Sequence, residues 1–129
     1  MLACSAALLI LAALLRPDPS GLGTHRQLRF PECGLVITTG IPCPTCGMTT
    51  AFAHAVRGDV LRAVAAQPFG ALTALATLAA AALSLAGIAT GKAWWINWYR
   101  VSPALVVTVM VVLFAAAWAY KVAVVWLAA

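Results

Sequence analysis

The sequence predicts an all-α integral membrane protein with two to three transmembrane helices and an amphipathic interfacial helix that follows a cysteine-rich loop. Three observations predict it. Of the 129 residues, 64% are hydrophobic and 9% charged, where an ordinary soluble domain carries about 25% charged residues. Mean hydropathy is +1.01. Two apolar stretches, 68–90 and 101–120, are 20 or more residues long without a charged side chain, enough for helices that cross the hydrocarbon core of a bilayer. The prolines, glycines and cysteines that punctuate the chain gather between the apolar stretches.

The span over residues 68–90 is the clearest, with 23 uncharged residues opened by Pro68, an imino acid suited to the first helical turn. A second span is expected over 101–127: it is uncharged to Tyr120 and resumes beyond Lys121, whose ammonium is expected to snorkel to the interface. Residues 2–15 are apolar or small, but the 14 of them reach only about 21 Å as a helix. They are expected to form an uncleaved, tilted or shallow third span. No basic residue precedes them, and Arg16, Pro17 and Asp18 follow where a small-residue cleavage site would lie. Cys4 has no apolar segment before it, which argues against lipidation.

Residues 16–67 form the one sizeable polar stretch, read as loop as far as Cys46 from its prolines and glycines. The pattern then turns helical from Gly47 to Arg57. Gly58 is expected to stop that helix and Asp59 to cap the next, Val60 to Ala66. Between the last two spans, Lys92, Trp94, Trp95, Trp98, Tyr99 and Arg100 read as an interfacial aromatic belt.

Net charge is +5, but the basic residues are scattered and build no phosphate-tracking patch, so nucleic acid is not an expected partner. The basic excess instead sets orientation. Five basic residues fall in the first loop (Arg16, Arg26, Arg29, Arg57, Arg62) and two in the second (Lys92, Arg100). The first loop is therefore expected on the cytoplasmic side of the membrane, with the C-terminus beside it. The partners implied are the lipid bilayer and either another membrane protein or further copies of the chain.

Chemistry is concentrated at Cys33, Cys43 and Cys46, within the run Gly40-Ile41-Pro42-Cys43-Pro44-Thr45-Cys46-Gly47. A Cys-x-x-Cys spacing brings two sulfurs to one centre, whether a metal or each other. In the metal reading the run is a zinc knuckle with Cys33, Cys43, Cys46 and His54 as ligands and His25 in reserve. Gly47 then takes the positive φ that closes the turn. In the redox reading Cys43 attacks and Cys46 resolves, the thiolate being favoured by the start of a helix. No strand precedes the motif as in thioredoxin-like folds. In the third reading the cysteines are small polarizable residues packing a turn.

On a continuous helix from 43 to 57, Cys43, Cys46, Thr50, His54 and Arg57 would share a polar stripe, with Met48, Phe52 and Val56 opposite. A knuckle breaks that register at Gly47, so the two pictures compete.

These residues resemble an uncharacterised family of small bacterial membrane proteins marked by Cys-Pro-x-Cys-Gly after an upstream cysteine. The resemblance is carried by Pro31-Glu32-Cys33, Thr39 to Thr49, Arg57-Gly58-Asp59 and Gln67-Pro68, roughly residues 31–80. That family usually has arginine at the place of Thr50 and asparagine at that of Gln67, so a role of that arginine in binding an anion or partner is lacking here unless Arg57, on the same face, substitutes. The resemblance implies a topology and a motif but no reaction. Two functions stay open: a metal-stabilised interaction or scaffold module, and a membrane-bound thiol-disulfide oxidoreductase using Cys43 and Cys46.

Overall fold

The computed structural model describes residues 2–31, 33–91 and 102–128. Every regular element among them is helical: α1 (Leu2–Leu14), a 3₁₀ turn (Thr24–Leu28), α2 (Gly34–Thr39), α3 (Met48–Ala55), α4 (Val60–Ala66), α5 (Pro68–Thr90) and α6 (Pro103–Ala128). The indole-rich stretch on which the aromatic belt falls lies outside the described residues.

Helices α5 and α6 are long and apolar enough to cross a membrane, and only 11% of the most apolar window of each is buried inside the protein. Leu83, Leu85 and Ile88 of α5, and Leu105, Val107, Val111 and Val112 of α6, are exposed. Exposed apolar side chains of this kind need lipid or another apolar surface to cover them. The two helices meet through an edge-to-face contact of Phe69 and Phe114, centroids 5.3 Å apart.

The core sits at one end of this pair, where α3 and α4 pack on the start of α5. It is built from small side chains: Ala51, Ala55, Ala63, Ala66, Ala71 and Ala74, with Phe52 against them. Small residues let helix backbones approach closely, the usual interface of helices in membranes. Gly70 marks the tightest point, where an added Cβ would lie 3.0 Å from the Ala51 Cβ and 3.1 Å from the Met48 Cα.

Local sequence explains the joints. The Asp59 carboxylate caps α4 by accepting the Arg62 N–H at 3.2 Å. Pro68 opens α5, while Gln67 before it is extended, as a residue preceding proline prefers. The C-terminal end of α1 is held by Arg57, whose guanidinium donates to the Ala13 oxygen at 2.9 Å and the Leu15 oxygen at 2.8 Å. It also donates to the Ala12 and Ala53 oxygens. Terminal helical carbonyls lack partners within the helix and attract cations.

The segment read from sequence as plain loop is more ordered than its composition suggests. Gln27 and Arg16 exchange two hydrogen bonds, at 3.0 and 2.6 Å. Thr24, fully buried, bonds Thr50 across 2.7 Å and accepts the Asp18 N–H.

The Lys121 side chain is buried, and Nζ donates to the Ala66 carbonyl at 2.6 Å, just ahead of the start of α5. Lys121 therefore lies on the same side of the helix pair as the cysteine loop.

Candidate metal centre

Cys33 immediately precedes α2, with extended backbone angles at the N-cap position. The short helix ends at Gly40 and returns the chain through Ile41 and Pro42 to Cys43. From there a tight turn, with Cys46 N–H to Cys43 oxygen at 3.0 Å and Met48 N–H to Thr45 oxygen at 3.2 Å, brings the second cysteine of the motif under the first. Gly47 closes it at φ +92° and passes the chain into α3. That is the backbone a knuckle needs and a continuous helix forbids.

Outside contacts fix the turn. The Trp118 indole N–H of α6 donates to the Pro42 carbonyl at 2.9 Å, and the Gln67 amide donates to the Pro44 carbonyl at 2.8 Å. Both prolines flanking Cys43 are thus held through their oxygens. Gln67 is fully buried, and its own Oε1 has no protein partner.

The result is convergence. The sulfurs of Cys33, Cys43 and Cys46 lie within 4.8 Å of one another, all as free thiols. Cys43 Sγ is 2.9 Å from Cys46 Sγ and 3.3 Å from Thr45 Oγ1. A tetrahedral zinc ion at about 2.3 Å from each sulfur sets them roughly 3.8 Å apart, so small side-chain rotations would seat one.

The thiols differ electrostatically. Cys33 is pulled down to about 7, first by the Val36 N–H at the start of α2, with the thiols of Cys43 and Cys46 adding to the effect. Cys46 is pushed up to about 12, chiefly by burial and then by the neighbouring Cys43 and Cys33. Without a cation in the cluster, Cys46 keeps its proton at neutral pH; a bound metal would displace it.

The expected polar stripe does not form. Helix α3 starts only at Met48, after both motif cysteines, and each remaining member of the stripe has its own partner. Thr50 is buried against Thr24, His54 Nδ1 is 3.7 Å from the Asp59 carboxylate, and Arg57 holds α1. Neither His54 nor His25 joins the three sulfurs. The opposite face of α3 turns toward α1: Met48 and Phe52 line an apolar cleft of about 230 Å³ with Leu8, Leu11 and Leu15. Sequence reasoning missed Gln67, Trp118 and Lys121 as neighbours of the cysteine turn. Only Lys121 carried a signal, a lone charge in an otherwise uncharged span.

Fold and site together define a small helical protein with two candidate membrane spans and a three-cysteine centre at one end of them. The model of a family described as a protein of unknown function, DUF2752, matches residues 33–81. The match opens on the first cysteine of the cluster and closes inside α5, and it agrees with the resemblance to an uncharacterised family read from the motif. No curated protein and no solved structure matches the chain.

Proposed function

We propose that the chain is a membrane-anchored metal-binding module in which Cys33, Cys43 and Cys46 hold one zinc ion. The stiffened loop then serves as an interaction or scaffold surface for another membrane protein or a second copy of the chain. The observation that supports this reading is the arrival of Cys33 at the Cys43–Cys46 pair. A dithiol reaction needs only two sulfurs, whereas a third converging sulfur fills a third position of a tetrahedral zinc site. With both histidines elsewhere, the fourth position is left to water or to a side chain of the partner, and such an open position suits a site that is completed on association. The five-to-two basic bias supports a loop facing the cytoplasm from the bacterial inner membrane. This reading involves no reaction and no nucleic acid.

One observation favours the second reading, a membrane-bound thiol-disulfide oxidoreductase: Cys43 and Cys46 sulfurs are already neighbours at 2.9 Å. Their oxidation would pass two electrons and two protons to an acceptor disulfide, and Cys33 would be dispensable. Zinc content of the full chain purified in mild detergent under reducing conditions separates the two. The metal reading expects about one zinc per chain and its loss in Cys33→Ser. A metal-free parent whose Cys43–Cys46 pair cycles equally well with and without Cys33 would replace it with the redox reading.

A further inference from the structure

A buried ammonium is costly unless an opposite charge or a full set of acceptors faces it. Lys121 is 5% exposed and donates to one backbone oxygen, that of Ala66. Among the described residues no carboxylate pairs with it: the ion pairs of this part of the chain join Asp59 to His54 and to Arg62. Its surroundings are defined by glycines. Nζ lies 3.3 Å from where a Cβ on Gly21 would stand, and the Ala66 oxygen it bonds lies 2.8 Å from where a Cβ on Gly47 would stand. Gly47 directly follows Cys46, itself buried. One turn earlier on the same helix, Trp118 grips Pro42. Helix α6 therefore delivers a cation to the back of the cysteine turn, whose thiols are able to become negative.

We propose that Lys121 is the counter-charge of the cysteine centre. A zinc ion held by three thiolates with a neutral fourth ligand carries a net charge of about −1, and the Lys121 ammonium balances it inside a low-dielectric core. The inference rests on the zinc reading and extends it. It makes the last helix, which lies beyond the family match, a part of the site. It also assigns Lys121 an electrostatic role rather than a membrane-anchoring one. Lys121 is a positioning residue that acts on the metal through the thiolates.

The test is zinc affinity of the full chain in detergent, measured by competition with a chromophoric chelator. The variants are Lys121→Gln, Lys121→Arg and Phe114→Leu, with the melting temperature of each metal-free protein measured in parallel. Loss of the charge is expected to weaken zinc binding ten- to a hundredfold, the usual cost of removing an outer-shell partner. Lys121→Arg should keep affinity within a few-fold. Phe114→Leu removes the edge-to-face contact with Phe69, loosens the same helix without touching charge or the cysteine turn, and should lower melting while leaving affinity nearly unchanged. Lys121→Gln that binds zinc as the parent does, or that loses no more affinity than Phe114→Leu, overturns the counter-charge assignment and leaves the zinc site standing. A parent that holds no zinc overturns both.

Discussion

Gly47 and Ala66 approach so closely that a methyl group on Gly47 would sit 2.8 Å from the Ala66 carbonyl oxygen, the oxygen that accepts the Lys121 ammonium. The Gly21 oxygen would lie 2.9 Å away on another side. Both obstacles are backbone, so neither can swing aside. Gly47→Ala also places a side chain at φ +92°, a left-handed backbone that costs a non-glycine residue about 1–2 kcal/mol. We expect the substitution to destabilise the full chain by about 3 kcal/mol in total. The check is thermal or denaturant unfolding in detergent. A variant that melts above the parent would mean a helical Gly47 and no knuckle.

Arg57 joins α3 to the end of α1 through four carbonyl oxygens. Arg57→Met keeps the apolar stem and removes the fork. It should cost about 1–2 kcal/mol at this exposed site and leave α1 detached from α3 well before the rest of the chain unfolds. Limited proteolysis in detergent reads this as faster cleavage near Leu15. Arg57→Lys, which cannot span the same acceptors, should fall between the two. Unchanged cleavage in Arg57→Met would show that α1 is held by apolar contacts alone.

The thiols should react in an order set by their surroundings. Because Cys33 is held down to about 7, its alkylation in metal-free protein should rise about tenfold from pH 5 to pH 6 and flatten above pH 8. Cys46, pushed up to about 12, should stay inert throughout. The same shifts set the sign of the pH dependence of stability. Cys33 has a depressed folded pKa, so its contribution is full above the unfolded value near 9 and is lost as pH falls toward 7. Cys46 has a raised one, so its contribution is full below 9 and is lost as pH rises toward 12. Mass-spectrometric mapping of iodoacetamide adducts decides the order. Labelling of Cys46 before Cys33 would contradict it.

Lys121 and the cysteine turn occupy the same side of the helix pair, so a reporter fused after residue 129 must share a compartment with the loop. With the basic bias pointing inward, a green fluorescent protein there should fluoresce in bacterial cells, and an alkaline phosphatase should be inactive. An active phosphatase fusion would reverse the orientation.

Much of the helical layout was legible because each boundary had a local cause. Pro68 and the absence of charge set α5 from Pro68 to Thr90, and Asp59 set the start of α4. Gly47 was legible as a turn because a glycine directly after the second cysteine has little reason to be helical. Short elements such as α2 left no mark, since six residues of Gly34–Thr39 carry no full hydrophobic period and the helix is fixed by its surroundings. At the site, the metal reading joins Cys33 to the pair, as the structure does, but a ten-residue spacing alone leaves that reading open against the others, because the convergence depends on where α2 turns the chain. The placing of His54 and Lys121 was not legible for a related reason. A helical wheel gives the direction of a side chain about its own axis, but Asp59 and the Ala66 carbonyl, supplied by neighbouring segments, decide where each side chain settles.

The central claim is that three cysteines share one metal ion, and X-ray absorption at the zinc edge of the metal-loaded full chain tests it most directly. The account predicts three sulfur scatterers at about 2.3 Å with one lighter oxygen or nitrogen neighbour, falling to two sulfurs or to no bound metal in Cys33→Ser. A first shell of oxygen and nitrogen with fewer than three sulfurs in the parent would contradict it.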